Sequence, residues 1–319
     1  MKIIQQKLTI EEQNSGLRLD QALGALLPEY SRSRIQEWIK LGFILLNDKA
    51  FSKPRVKVYE GDRIQLEIPE TTKTFDQPQQ IRFEIIYEDE HIFVVNKPAG
   101  LVVHPAAGHA AGTLVNGLLF RDPSLEQLPR AGIVHRLDKD TTGVMVVARS
   151  LEAHTGLVDA IQRHDVKREY RAIAQGLITA GRTIDEPISR HPVDRKRMAV
   201  QAKGKPAVTH FRVQQKYRAH SLIEVQLETG RTHQIRVHLA HLRHPLLGDQ
   251  TYGGRLAIAR GTGAQLEQAI RHFKRQALHA FRLSFEHPVS GEALSFEAPL
   301  PDDFVKMKQC LKQDMNEPA

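Results

Sequence analysis

A polar segment, residues 69–80, divides this sequence into a short part and a long part. From Pro69 to Gln80 the apolar residues follow neither the spacing of a helix nor the alternation of a strand, which indicates a linker. The chain has 319 residues, more than one average domain contains. We therefore predict two domains, residues 1–75 and residues 76–319.

Composition excludes several classes of protein. The chain is 41% hydrophobic and 26% charged, which is typical of a globular protein with a full core and excludes wholesale disorder. Cys310 is the single cysteine, which excludes a disulfide framework and a multi-cysteine metal site and fits a reducing compartment. The apolar runs are far shorter than the ~20 residues that span a bilayer, and residues 1–7 lack the apolar run of a signal peptide. We expect a cytoplasmic protein.

Apolar periodicity predicts helices and strands in the short part. Leucines at helical spacing over residues 19–27 predict one helix, and Ile35, Trp38 and Ile39 mark the buried face of a second helix that ends at Gly42. Strands are predicted over residues 43–46, 56–58 and 64–68, with a turn at residues 47–48.

Strands and helices are mixed in the long part. Strands are predicted over residues 92–95, 144–148, 170–174 and 222–227, and helices over residues 152–163 and 232–243. Residues 254–268, with three glycines, indicate a loop insertion. Because the elements do not alternate regularly and no Rossmann glycine pattern is present, we predict an α+β fold rather than a doubly wound parallel sheet.

The chain is basic, and its positive charge is clustered. Its formal net charge is +8 with the histidines neutral. Residues 32–57 hold seven Lys and Arg against two acidic residues, and residues 163–218 hold fourteen against five. Such clusters suit a polyanion, of which nucleic acid is the commonest. A solvated basic surface would have the same composition, so charge alone leaves both interpretations open.

The most informative segment is residues 135–143, a polar stretch directly before the apolar strand predicted at residues 144–148. The acidic residues of this segment are spaced like those at the start of a calcium-binding loop. Arg149 stands at the position where that loop requires a glutamate, which excludes a calcium site. Asp138 and Asp140 would share one face of an extended chain, as a carboxylate pair for glycoside hydrolysis requires. A plain turn with Asx hydrogen bonds is the remaining interpretation, and the residues alone leave both open.

A second polar segment, residues 228–238, follows the strand predicted to end near residue 227. We predict Thr232 as the N-cap of the next helix, which places Arg236 in its first turn. A cation there opposes the helix dipole, so we expect a compensating carboxylate nearby. The neighbouring histidines match no known zinc spacing, which favours phosphate contact or a surface position for His233, His238, His241 and His244.

A third segment places an aromatic residue beside basic ones at the start of a predicted strand. Lys167 and Arg168 precede Tyr170 there. An aromatic ring in this setting can stack on a nucleobase, and it can equally be a half-buried strand tyrosine.

Taken together, the three segments resemble the motifs of the RluA-type pseudouridine synthases. The similar residues are His135-Arg136-Leu137-Asp138, Lys167-Arg168-Glu169-Tyr170 and Gly230-Arg231-Thr232-His233-Gln234-Ile235-Arg236-Val237-His238. Further similarity lies at residues 96–101, 244–249 and 275–280, and residues 18–66 resemble an S4 RNA-binding domain. The resemblance implies a small N-terminal S4-like domain followed by a larger mixed α/β synthase domain with an antiparallel sheet.

The resemblance also implies roles for individual residues. By position, Asp138 matches the catalytic aspartate, Tyr170 the residue that stacks on the base, and Arg236 the ion-pair partner of the aspartate. Arg136 matches the residue that occupies the space of the flipped nucleotide. Further substrate contacts are expected at His135, Arg231 and Ile235, and RNA contacts of the S4-like domain at Arg32, Arg34, Lys40, Lys53, Arg55 and Lys57.

The activity implied by the resemblance is the isomerisation of specific uridines in 23S ribosomal RNA, at the loop of helix 69. The implied partner is that RNA or a precursor of the large ribosomal subunit, and the protein is expected to act as a monomer with neither a metal nor an organic cofactor. Two alternatives stay open, the same chemistry at other large-subunit sites and a non-catalytic S4-domain protein that assists ribosome assembly.

Overall fold

The computed structural model describes residues 3–27, 30, 32–51, 53–69, 77–105, 111–254 and 258–316. The chain forms two compact units, Met1–Thr74 and Phe75–Ala319. Most of the predicted linker, residues 70–76, lies outside the described residues. That each unit folds by itself stays a prediction.

The N-terminal unit packs two helices on a small antiparallel sheet. Its elements are β1 (Ile3–Thr9), α1 (Leu19–Leu26), α2 (Arg32–Leu41), β2 (Ile44–Leu46), β3 (Lys49–Ala50) and β4 (Arg63–Pro69), with the strands in the order β1-β4-β2-β3. Ile35, Trp38 and Ile39 of α2 are buried in its core, as their spacing predicts. Gly42 follows α2 with a φ of +77°, a left-handed conformation that glycine adopts without strain.

Two features of this unit differ from the sequence-based expectation. Strand β1 was not predicted, because its residues do not alternate regularly and its pairing with β4 along seven residues is a contact distant in sequence. The strand predicted at residues 56–58 is wrong, since Lys57 forms only an isolated bridge to Arg18. Val56 and Val58 exchange backbone hydrogen bonds with residues 16–19, but that neighbour enters α1 at Leu19, so the pairing does not extend into a strand.

The C-terminal unit is built around one large, mainly antiparallel sheet. Its strands are β5 (Glu84–Glu88), β6 (Ile92–Lys97), β7 (Thr142–Ala148), β8 (Lys167–Gln175), β9 (Arg182–Asp185), β10 (Ile188–Arg190), β11 (Met198–Val200), β12 (Val208–Lys216), β13 (His220–Leu227), β14 (Leu278–Glu286) and β15 (Ala293–Glu297). Its helices are α3 (Leu114–Arg121), α4 (Leu151–Gln162), α5 (Gln234–His241), α6 (Ala264–His272) and α7 (Asp302–Asn316). The α+β prediction is confirmed.

The order of the strands determines which segments meet. Over the described residues the large sheet runs β5-β6-β7-β14-β8-β13-β12-β9, with β15 beside β14, while β10 and β11 form a separate hairpin. Strand β14 pairs in parallel with β7 at only two positions and is antiparallel to β8. The motif before β7 and the motif on β8 are therefore separated by one strand, which comes from much later in the chain.

Strand β7 is buried along its whole length, which anchors the polar segment before it. The register places Gly143 beside Ala280 of β14, and Ala280 beside Tyr170 of β8. A Cβ atom on Gly143 would lie 2.1 Å from the carbonyl oxygen of Ala280, and Gly143 has a φ of +116°. Only glycine allows β14 to approach the start of β7 this closely.

Two helix predictions need correction. Residues 254–268 were predicted as a loop, yet α6 begins at Ala264; residues 255–257 lie outside the described part. Gly263, which indicated a loop, is the N-cap of α6, and Leu266 and Ile270 bury its apolar face. Helix α5 begins at Gln234 with His233 as its N-cap, so Thr232 is not the cap.

The helices that the structure describes include none that is both long enough and apolar enough to cross a membrane.

We predict that residues 75–319 fold cooperatively without residues 1–74, because each unit buries an apolar core of its own. The truncated chain should elute as one compact species and show a single thermal transition by circular dichroism. Aggregation, or a broad loss of signal without a transition, would show that the longer unit depends on the shorter one.

Candidate active site

Two segments that are far apart in sequence meet at one ion pair. Asp138 lies in the loop before β7, and Arg236 lies in the first turn of α5. Nη1 of Arg236 donates to Oδ2 of Asp138 over 3.0 Å. The sequence predicts a compensating carboxylate near Arg236, and Asp138 is one carboxylate that the structure places there.

Arg236 also binds a second carboxylate, which sequence reasoning did not assign. Its Nε and Nη2 atoms donate to the two oxygens of Asp249 over 2.7 Å and 2.9 Å. This bidentate contact uses one edge of the guanidinium and leaves Nη1 for Asp138. The side chain of Asp249 is fully buried, so its pair with Arg236 fixes where the arginine points.

Backbone amides complete the surroundings of Asp249. Its Oδ1 accepts hydrogen bonds from the N–H groups of Thr251 and Tyr252. Burial acts to raise the pKa of Asp249, but the hydrogen bonds and charge of Arg236 outweigh it and hold the pKa below its usual value. Asp249 is therefore an ionised anchor for Arg236. The only sequence signal for it was its place in the segment 244–249 that resembles the family.

Asp138 keeps one carboxylate oxygen available. Oδ2 is bound to Arg236, whereas Oδ1 accepts no hydrogen bond from the described residues, and Nε2 of His233 is 3.9 Å from it. That distance is too long for a hydrogen bond. The side chain of Asp138 is 16% exposed, so a substrate can reach this second oxygen.

Tyr170 lies beside this pair on β8 and is buried. Burial raises the pKa of its phenol; the charge of Arg168 acts against that shift, and the charge of Asp138 adds to it. The ring is therefore neutral at physiological pH and close enough to Asp138 to respond to its charge. Its stacking on a base stays a prediction.

His135 supports the loop that carries Asp138. Its Nε2 accepts a hydrogen bond from the N–H of Val146 over 3.1 Å, at a point of β7 where β14 no longer pairs. Burial, with a further contribution from the charge of Arg168, lowers the pKa of His135 to about 3. The ring is neutral, and the nitrogen bound to the strand is not free for a substrate. Contact with RNA stays a prediction for this residue.

The other expected substrate residues lie in different settings. Arg136 is exposed on the loop, while Ile235 is buried in the core of the unit. Arg231 is half-buried, and its Nε donates to the carbonyl oxygen of Pro206. In the N-terminal unit Lys40, Lys53, Arg55 and Lys57 are exposed, and the side chains of Arg32 and Arg34 lie outside the described residues.

A buried lysine ties two parts of the site together. Nζ of Lys97, at the end of β6, donates to the carbonyl oxygens of Pro98, Leu101 and Lys139. Burial lowers the pKa of Lys97 to about 7, although the charge of Asp140 opposes that shift. The contact at Lys139 holds the residue directly after Asp138. In the sequence, only the similarity of residues 96–101 to the family points to Lys97.

The histidines near Arg236 are occupied by separate partners. His238 contacts the Oγ1 atom of Thr209 and the carbonyl oxygen of Glu186, and His244 contacts the carbonyl oxygen of Gln175. Within the described ranges, no three His, Cys, Asp or Glu side chains are grouped as a metal ion would require.

Comparison with known proteins identifies a synthase domain and an S4 domain in this chain. A family model described as RNA pseudouridylate synthase matches residues 91–241, and an S4 domain model matches residues 17–64. A human structure, RNA Pseudouridylate Synthase Domain Containing 4, superimposes with a TM-score of 0.57 at 26% identity, covering 72% of this chain and 93% of that one.

Curated relatives match nearly the whole chain. The "Ribosomal large subunit pseudouridine synthase D" of Pasteurella multocida is 50% identical over 94% of this chain and 92% of its own length. The protein of the same name from Escherichia coli K12 is 49% identical over 98% of this chain and 96% of its own length. The chain therefore belongs to the RNA pseudouridylate synthase family, whose members isomerise uridine to pseudouridine, and it carries an S4 domain ahead of its synthase domain.

Proposed function

We propose that this synthase isomerises uridines of large-subunit ribosomal RNA, with Asp138 as the reacting carboxylate. The observation that carries the chemistry is the pair of Asp138 and Arg236, with the buried ring of Tyr170 close enough for the charge of Asp138 to affect its pKa. The names of the relatives that match over nearly the whole chain support the substrate. The loop of helix 69, in free RNA or in a subunit precursor, is the target we propose from the sequence resemblance, with the protein acting as a monomer.

The reaction is a rearrangement within one nucleotide. The C1′–N1 bond breaks, the uracil turns while it is still bound, and a C1′–C5 bond forms. C5 loses its proton and N1 gains one, so atoms and electrons balance without a redox partner. A carboxylate can start this sequence at the sugar, either by attack at C1′ or by removal of the C2′ proton.

In the proposed mechanism Asp138 reacts through Oδ1. Its Oδ2 is held by Arg236, and Oδ1 is the oxygen that is free of hydrogen bonds from the described residues. Arg236 holds Oδ2 by a charge-assisted hydrogen bond, which fixes the orientation of the carboxylate. Because Asp249 anchors Arg236 on its other edge, the carboxylate is already oriented before the substrate enters.

In the proposed mechanism Tyr170 keeps the detached base in place. A neutral buried ring beside the carboxylate offers a flat apolar surface on which uracil can stack and turn. Once the C1′–N1 bond is broken, nothing covalent holds the base, so its retention decides whether the reaction continues or fails. Holding two reacting parts together is worth several kcal/mol of activation free energy, of the order of 7–11 kcal/mol at best.

The uridine must leave the RNA stack to reach this site. Unstacking costs a few kcal/mol, and exposed basic side chains offset that cost by phosphate contacts. Arg136 is exposed next to the reacting residue and is the side chain we propose to fill the space left by the flipped base. The exposed cations of the N-terminal unit, Lys40, Lys53, Arg55 and Lys57, are the phosphate contacts we propose for the S4 domain.

The substrate assignment is tested by mapping pseudouridine in ribosomal RNA. In a strain that lacks this protein, large-subunit RNA should lose pseudouridine at the helix 69 loop, and a plasmid copy of the gene should restore it. Loss at other large-subunit uridines would keep the substrate class and move the target. Unchanged large-subunit RNA would refute the assignment.

We predict that Asp138→Asn lowers isomerisation by roughly a thousandfold or more, because the amide can neither attack nor accept a proton. RNA affinity should stay within about twofold, since the phosphate contacts lie elsewhere. Release of tritium from uridine labelled at C5 measures the chemistry, and filter binding measures affinity. Asp140→Asn is the matched control and should keep most of the activity. Equal loss in both variants would revive the paired-carboxylate mechanism.

We predict that Asp249→Asn and Arg236→Lys both lower kcat by more than about tenfold with little change in RNA affinity. Asp249→Asn leaves the buried guanidinium without its bidentate partner. Arg236→Lys replaces the planar guanidinium with a single ammonium group, which cannot make a bidentate contact to one carboxylate while binding another. Each should also lower the free energy of unfolding, by roughly 3 kcal/mol for Asp249→Asn.

A matched control separates stability from orientation in these variants. Arg218 binds the buried carboxylate of Asp314 in the same unit, with Nε 3.1 Å from Oδ2. Arg218→Lys should lower the melting temperature and leave kcat near that of the wild type. If Arg236→Lys keeps its turnover but binds RNA more weakly, with a reduced dependence on salt, then Arg236 holds a phosphate instead.

A further inference from the structure

The hydroxyl group of Tyr252 joins two segments near the active site. Its oxygen accepts a hydrogen bond from the N–H of Met198 over 2.9 Å and lies 2.8 Å from Nδ1 of His233. The guanidinium of Arg236 lies 5.0 Å from the centre of its ring, and that of Arg197 lies 5.2 Å from it. Tyr252 is buried, so these contacts fix both the ring and the hydroxyl.

These contacts determine the direction of the hydrogen bond to His233. The amide of Met198 can only donate, so the phenol oxygen is the acceptor there. Among the described residues, Nδ1 of His233 is the one acceptor within reach of the phenol proton. With Tyr252 as the donor to Nδ1, the phenol proton is used and the proton of the neutral imidazole lies on Nε2; the other tautomer would leave the phenol proton without an acceptor among the described residues.

The opposite side of the imidazole faces the reacting carboxylate. Nε2 of His233 lies 3.9 Å from Oδ1 of Asp138, the oxygen that Arg236 does not bind. With the proton on Nε2, an N–H group points toward that carboxylate; with the other tautomer, a lone pair would point at a negative charge. The electrostatics at this end thus favour the same tautomer as the hydrogen bond at Tyr252.

The imidazole is neutral in this setting. Burial is the largest effect and lowers the pKa of His233. The negative charges of Asp138 and Asp249 act to raise this pKa, and the positive charges of Arg236 and Arg136 act to lower it. A neutral ring with its proton on Nε2 can donate to Asp138 without neutralising it. A contact of this length can shorten when a substrate fills the site.

The backbone is shaped to present this ring. His233 has a φ of +57°, in the left-handed region that a non-glycine residue rarely adopts, and it is the N-cap of α5. Gln234 holds that turn: its Oε1 accepts from Arg231 and Thr229, and its Nε2 donates to Thr209. A strained residue fixed in this way beside a reacting group indicates a functional position.

We propose that Tyr252 and His233 form a hydrogen-bonded relay that holds the proton of His233 on Nε2 and directs it at Oδ1 of Asp138. Both are positioning residues: Tyr252 sets the tautomer, and His233 orients the free oxygen of the carboxylate. The relay begins at the amide of Met198 in β11, so it connects the β10–β11 hairpin to Asp138. The inference rests on the proposed role of Asp138.

The tautomer can be observed directly. Long-range proton–nitrogen correlation spectra of the labelled full-length protein should show His233 as a neutral ring protonated on Nε2, identified by the signal that is missing in His233→Gln. In Tyr252→Phe the same ring should change to a mixture of tautomers. A ring protonated on Nδ1 in the wild type would refute the relay, whatever the activity of the protein is.

Kinetics test what the relay does. We predict that Tyr252→Phe lowers kcat about tenfold and changes KM by less than about twofold, because one orienting hydrogen bond is worth about that factor. Tyr217→Phe is the matched control, since Tyr217 is also buried and its hydroxyl donates to Gln215, outside the site. Its kcat should equal that of the wild type. Equal kcat in both variants would overturn the proposal.

Two substitutions of His233 distinguish the ring from the backbone. Glutamine can place an amide N–H near the position of Nε2, whereas asparagine is too short to do so but tolerates the left-handed backbone better. The relay predicts that His233→Gln keeps kcat within about threefold of the wild type while His233→Asn loses tenfold or more. The reverse order, with the stability of the two variants measured by thermal unfolding, would show that only the backbone matters.

These outcomes are separate from those that test the proposed function. An active Asp138→Asn variant would remove the reacting carboxylate and with it the role of the relay in the reaction. A dead Asp138→Asn variant together with a fully active Tyr252→Phe variant would refute the relay alone.

Discussion

The guanidinium of Arg236 lies between two carboxylates, and the geometry of the active site depends on this contact. Asp249 is fully buried and binds Arg236 with both oxygens, while Asp138 takes the remaining nitrogen. Two charges in a low-dielectric setting are costly unless both are paired, so the arginine cannot leave this position without leaving a buried carboxylate alone. Asp138 is thus oriented by a pair formed behind it, before any RNA binds.

The sheet brings the other components to that pair. Gly143, Ala280 and Tyr170 lie side by side on β7, β14 and β8, and the absence of a side chain at Gly143 lets β14 fit between the two motif-bearing strands. Beyond the two positions at which β14 pairs with β7, the ring of His135 accepts the hydrogen bond from the buried amide of Val146. The loop that carries Asp138 is therefore supported by the strand itself and by a neutral imidazole.

Much of the fold and part of the site could be predicted from the sequence. The helix containing Ile35, Trp38 and Ile39 and the buried strand after Gly143 follow from local periodicity. Arg236 lies in a first helical turn as predicted, although the cap is His233 and not Thr232. The electrostatic cost of Arg236 in that turn also predicted a carboxylate. Local sequence pattern did not predict β1, which pairs with the distant strand β4, or α6, where Gly263 is a cap rather than a loop residue.

The sequence by itself indicated two domains, an α+β fold and clustered positive charge, and its motifs indicated the family. These properties depend on residue types and on spacings of a few residues, which are local. The tertiary structure decided that Asp249 rather than Asp138 holds Arg236 with both oxygens, that His135 binds a strand, and that Tyr252 meets His233. Those pairs join residues that only the folded chain brings together, because the direction of a buried hydrogen bond depends on every donor and acceptor around it.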